Sequence, residues 1–113
     1  MGAMSRRKGQ RGEREAAAEI RRLFRTEASR GRQYHGRDDA PDIVTAIEGV
    51  HFEVKRVESL RVYHALEQAA EDAGDRIPVV LHRKSRKPWV AMVHLDDLPQ
   101  LSVQLYLTLA ENS

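Results

Sequence analysis

Pro41-Asp42 is followed by ten residues and then by Glu53-Val54-Lys55. Along an extended strand alternate side chains share a face, so Glu53 and Lys55 point one way while Phe52 and Val54 point toward a core. An aspartate that begins the neighbouring strand of a hairpin can face Glu53. Two carboxylates converging on one point are hard oxygen donors of the kind that Mg2+ prefers, with Mn2+ as a substitute. A lysine beside them can orient or deprotonate an attacking water, or stabilise charge that develops on a phosphate. Taken alone, Glu-x-Lys is also what an ordinary ion pair on a half-exposed strand looks like.

Glu13 adds a third acid. It shares a helical stripe with Ala17, Ile20 and Phe24, at positions i, i+4, i+7 and i+11. An acid aligned with a core-facing stripe is costly unless it meets a cation or a metal. A first-turn glutamate complementing the helix dipole would give the same pattern. Glu15 and Glu19 lie off the stripe and read as solvated helix acids. The chain has no cysteine, so disulfides and thiolate metal sites are excluded, and none of its five histidines has metal-ligand spacing.

The elements that must position these groups follow from periodicity and breakers. Met1–Ala3 reads as a tag remnant and residues 5–12 as a polar, Gly-containing basic arm, leaving 13–113 as a single domain. Helical spacing predicts a helix from Glu13 to about Arg25, then a loop over 28–41. Asp42–Glu48 and His51–Val57 read as strands of a tight hairpin around Gly49. A second helix is expected from about Ser59, as its cap, to Ala73, with Gly74 ending it. Pro78–His82 and Trp89–His94 read as two more strands, joined by the basic tip Arg83, Lys84, Arg86 and Lys87. Asp96–Ala110 fits either strand alternation or a helix, and Asp96 as a cap favours the helix. The predicted class is α/β, a mixed β-sheet flanked by helices, because each helix has one apolar face to bury.

The net charge of +2 hides an asymmetry: residues 1–37 hold 11 Lys/Arg against 4 Asp/Glu, and residues 38–113 hold 8 against 13. A basic end on an acidic body suits an anionic polymer as partner, although a solvated arm would have the same composition. Arg6, Arg7, Lys8 and Arg11 are candidate phosphate contacts, and Arg30, Arg32, Arg37 and the basic tip could extend that surface. Tyr34 is a candidate for stacking on a base, or plain loop packing. His64 and Gln68 lie off the second helix's apolar stripe, and Trp89 and Val90 read as core or interface. The leucine-rich C-terminal segment exceeds what a small core needs and is expected to form a dimer surface. No apolar run approaches the length of a membrane span and no secretory signal opens the chain, so a cytoplasmic setting is expected, in a microbial cell or phage-infected host.

The run Lys8-Gly9-Gln10-Arg11-Gly12-Glu13-Arg14-Glu15, with Pro41-Asp42 and Glu53-Val54-Lys55, resembles archaeal-type Holliday junction resolvases and their phage relatives. These belong to the PD-(D/E)XK nucleases, and the resemblance covers about residues 8–82. It implies a restriction-endonuclease-like core in which Glu13, Asp42 and Glu53 bind one or two divalent ions and Lys55 assists the water. Arg14 matches the family's helix arginine, which contacts the scissile region. The implied enzyme is a homodimer that resolves a four-way DNA junction by paired symmetric nicks. Family members usually carry a serine in the loop before the aspartate, where this chain has Arg37, Asp38 and Asp39. Glu-Val-Lys is shared across the wider superfamily, so a related nuclease on flaps, forks or duplex DNA fits it too. A DNA-binding module without catalysis is the alternative from another class.

Overall fold

The computed structural model describes the backbone of residues 2–31 and 41–112, and side chains within that range from residue 9 onward. Arg6, Arg7 and Lys8 therefore have helical backbone but lie outside the described side chains, and Arg32, Tyr34, Arg37, Asp38 and Asp39 lie outside the described residues altogether. The elements run α1 (Gly2–Phe24), β1 (Ala28–Arg30), β2 (Ile43–Thr45), β3 (Val50–Arg56), α2 (Val62–Ala73), β4 (Ile77–Arg83), β5 (Val90–Met92), a 3-10 turn (Leu95–Asp97) and α3 (Leu98–Glu111).

A five-stranded mixed sheet of order β1-β2-β3-β4-β5 forms the middle layer. Only β3 and β4 are parallel, with Glu53 opposite Val80 and Lys55 opposite His82. A parallel pair cannot be closed by a turn, and α2 supplies the crossover. Alternation then divides the core. Phe52, Val79 and Leu81 face Ala16, Ala17 and Ile20 of α1 and Leu101 of α3. Val80, on the opposite face, meets Ala65, Leu66 and Ala69 of α2. Because both faces are covered, β4 is buried from Ile77 through Leu81 without a polar break. Among the described residues no helix is long and apolar enough to cross a membrane.

The α/β class and the flanked mixed sheet match the expectation; several elements differ from it. Residues 5–12 are not an irregular arm, since α1 runs through them. Gly12 acts there as a contact rather than a breaker: a Cβ on it would sit 2.6 Å from the Arg56 Cβ, so the bare backbone lets α1 lean on β3. A strand, β1, lies inside the expected loop over 28–41 and pairs antiparallel with β2, Arg30 opposite Ile43. The β2–β3 connection is longer than a tight turn, residues 46–49, because Thr45 Oγ1 accepts the Ile47 N–H at 2.7 Å. That bond folds the chain back so that Ile47 enters the core. Ser59 does not cap α2, whose N-cap is Arg61 without a side-chain bond; Gly74 does end it. The C-terminal segment is helical, entered through Asp97 rather than Asp96, with Pro99 in the first turn.

Candidate functional site

The site forms where β2 leaves β3. The last rungs of their ladder are the Asp42 N–H donating to the Phe52 carbonyl at 3.1 Å and the Val54 N–H donating to Asp42 Oδ2 at 2.7 Å. Asp42 thus replaces a backbone acceptor with its own side chain, and the rest of the β3 edge is open to α1. Gly31 makes the fork possible on the other side. Its N–H reaches the Asp42 carbonyl at 2.7 Å, and any Cβ there would overlap the Pro41 carbonyl.

Glu53 is buried, on the α2 side of β3, next to Asp42. The two carboxyls are close enough to share a hydrogen bond when one is protonated. Burial first, and then the Glu53 charge, push the Asp42 carboxyl up to about 7, against the opposing Val54 N–H. Burial also acts against ionised Glu53, but bonds from His51 and Asp42 outweigh it and its pKa falls below the usual glutamate value. Glu13 approaches from α1 and pairs with Arg30 of β1 at 2.9 Å. Burial raises its pKa, offset in part by that guanidinium, and the charge of Glu53 also raises it. Gly9, Gln10, Glu13, Arg30, Gly31, Pro41 and Asp42 line one polar cleft.

Asp42 and Glu53 are thus neighbours, and Glu13 lies near enough to feel their charge. Among the described residues, the ligand atoms that come within 4.8 Å of one another are those of Glu53, His51 and Asp72, not those of Glu13, Asp42 and Glu53. Lys55 lies on the same face of β3 as Glu53, two residues on, and is half-buried. Arg11 and Arg14 are exposed on α1, on either side of Glu13. Hard oxygen donors, with Asp42 and Glu13 each made harder to ionise by burial and by the Glu53 charge, describe a place where a cation could be held.

Several participants escaped sequence reasoning. Arg30 was assigned to a loop, so its alignment with Glu13 was invisible. His51 was set aside for lack of ligand spacing, yet the strand period that pairs Glu53 with Lys55 also places His51 on their face. It is fully buried, and its Nε2 lies 2.8 Å from Glu53 Oε1. Asp72 of α2 joins them: ligand atoms of His51, Glu53 and Asp72 lie within 4.8 Å of one another. Glu15 is no plain solvated acid either, since its Oε2 sits between Arg83 at 3.5 Å and Arg56 at 3.7 Å. Glu19 does read as expected, paired at the surface with Arg22. His64 and Gln68 are exposed, and Trp89 packs on the core while Val90 stays partly open.

Compared with family models, with curated proteins and with solved structures, the chain matches none of them.

Proposed function

We propose that this chain is a Mg2+-dependent, structure-selective DNA endonuclease with a restriction-endonuclease-like core, acting on four-way junctions as a homodimer. The observation that carries the reading is the contact of Asp42 with Glu53 at the β2–β3 fork, with Glu13 facing them from α1. Acids so close together are unfavourable as a structural device, because the Glu53 charge makes both Asp42 and Glu13 harder to ionise. They make sense as donors to a cation.

Glu13, Asp42 and Glu53 would hold the ion, which when bound supplies Lewis-acid polarisation of a phosphate oxygen and a more acidic water. An ion would bind Asp42 in competition with the proton that burial and the Glu53 charge favour there. Lys55 orients the attacking water or balances charge on the phosphate. Arg11 and Arg14, one turn apart, share an exposed face of α1 and hold phosphates of the bound strand. Leu98, Val103, Tyr106 and Leu107 of α3 are exposed apolar groups on which a second copy would pack. Sedimentation as a monomer at micromolar concentration would remove the dimer from this reading.

The acid cluster supports phosphodiester cleavage as such, and the Lys8–Glu15 opening supports junctions in particular. A nuclease acting on flaps, forks or duplex DNA would use the same site. The deciding experiment compares a labelled four-way junction with a matched linear duplex, in Mg2+, in EDTA, and with Glu53→Gln. Paired symmetric nicks on the junction alone, lost in EDTA and in the variant, support a resolvase. Metal-dependent cutting of both substrates keeps the nuclease and discards the junction preference. No cutting in Mg2+ or Mn2+ leaves a DNA-binding module.

A further inference from the structure

The cluster beside Glu53 is ordered by the one group in it that can only donate. Arg76 places a guanidinium nitrogen 3.3 Å from His51 Nδ1. A guanidinium has no acceptor, so Nδ1 must offer its lone pair. With Nδ1 accepting, Nε2 carries an N–H that points at Glu53 Oε1, 2.8 Å away. Arg76 is itself fixed in the turn after α2, where its backbone N–H and its Nε face the Ala73 carbonyl at 3.1 and 3.4 Å.

This geometry argues against reading His51, Glu53 and Asp72 as a metal centre. With Arg76 on Nδ1, the nitrogen that faces the two acids carries a proton and has no lone pair to give. We propose instead that Arg76 and His51 form a positioning relay that holds Glu53 in the orientation needed to bind the divalent ion, an inference that rests on the site proposed above. His51 engages Oε1 and leaves the other oxygen of Glu53 to the ion. Because the ring is fully buried under α2, it has no alternative partner in water. The relay acts by direction: one bond from Nε2 fixes the rotation of the Glu53 carboxylate. Asp72, half-exposed on α2, lies within hydrogen-bond reach of Glu53, and burial and the Glu53 charge raise its pKa.

The test is Mn2+ binding to the purified chain, measured by calorimetry or by EPR of the free ion, together with the metal dependence of cleavage. Outer hydrogen bonds of this kind are worth about 10- to 100-fold in metal affinity. His51→Leu is expected to weaken Mn2+ by that factor, with turnover at saturating metal largely kept. His51→Gln is expected to restore affinity, since its amide donates to Glu53 and its carbonyl accepts from Arg76. If His51→Leu does not fold, Arg76→Met decides, because it removes the donor to Nδ1 from a half-exposed turn and should weaken Mn2+ in the same sense. Imidazole 15N shifts of the wild type should report the Nε2–H form of His51. An Nδ1–H ring, or leucine and methionine variants that bind Mn2+ like wild type, overturns the relay and leaves the nuclease reading standing. A wild-type chain that binds no Mn2+ overturns both.

Discussion

Asp42 and Val54 are joined by a bond that a strand would normally make through its backbone: the Val54 N–H donates to Asp42 Oδ2 at 2.7 Å. The same aspartate donates its own N–H to Phe52. One side chain therefore ends the β2–β3 ladder and occupies the centre of the acid cluster. Its structural and chemical tasks can be separated by substitution. Asn at position 42 can still present an oxygen to Val54, but it carries no charge. Asp42→Asn should fold with unchanged circular dichroism, lose metal-dependent cleavage, and melt no lower than wild type at pH 8 in EDTA. A clear drop in its melting temperature would mean that the charge itself supports the fork.

The pH dependence of stability follows from the same residue. Unfolded, its carboxyl ionises near the ordinary value of 3.8; folded, near about 7. Between those values folding takes up a proton, so stability is highest below the lower one and falls as pH rises through about 7. Glu13, also raised, acts in the same direction, while Glu53, lowered, favours the fold above its unfolded value and loses that contribution on acidification. Thermal melts in EDTA from pH 5 to pH 8.5 should show the decline, and Asp42→Asn should flatten it. Added Mg2+ should recover stability, more so at pH 8 than at pH 6, because an ion replaces the proton.

How much of this could be read from the chain depends on period. A strand repeats every second residue, which puts Glu53 and Lys55 on one face, and a helix near every fourth, which puts Glu13 on the core-facing stripe. The same strand rule reaches His51, whose spacing to the other histidines carries no metal-ligand signal. Arg30 and Arg76 had no such signal. One sits on a three-residue strand too short to show alternation, and the other in a turn whose position depends on α2 crossing the sheet. The extent of α1 was misread because Gly9 and Gly12 look like breakers, whereas packing against β3 sets the outcome at Gly12.

Those two glycines make opposite predictions in the same helix. At Gly9 an added Cβ meets nothing within 4 Å. Gly9→Ala should therefore gain about 0.5–1 kcal/mol from the lost flexibility of the unfolded chain. At Gly12 the Cβ would meet the Arg56 Cβ at 2.6 Å, and neither atom is the free end of a side chain. Gly12→Ala should cost about 1–3 kcal/mol as α1 is pushed from β3. Since Glu13 is the next residue, its metal-dependent activity should fall further than its stability. Urea melts of the two variants, run beside wild type, check both signs.

Glu13 and Arg30 supply the last test, because their ion pair at 2.9 Å occupies the position a metal would compete for. Both side chains are largely shielded, at 21% and 33% exposure, so removing the cation leaves a half-buried carboxylate without its main neutralising partner. Arg30→Met should destabilise the chain in EDTA by about 1–2 kcal/mol, between a surface and a buried ion pair. If Glu13 is a metal ligand, millimolar Mg2+ should return most of that loss, and the variant should gain more melting temperature from Mg2+ than wild type does. If Glu13 serves only as the partner of Arg30, the loss should persist in Mg2+ and Glu13→Gln should lower stability without altering Mn2+ affinity. The difference in Mg2+-induced melting shift between Arg30→Met and wild type thus separates an acid kept for a cation from one kept for an arginine.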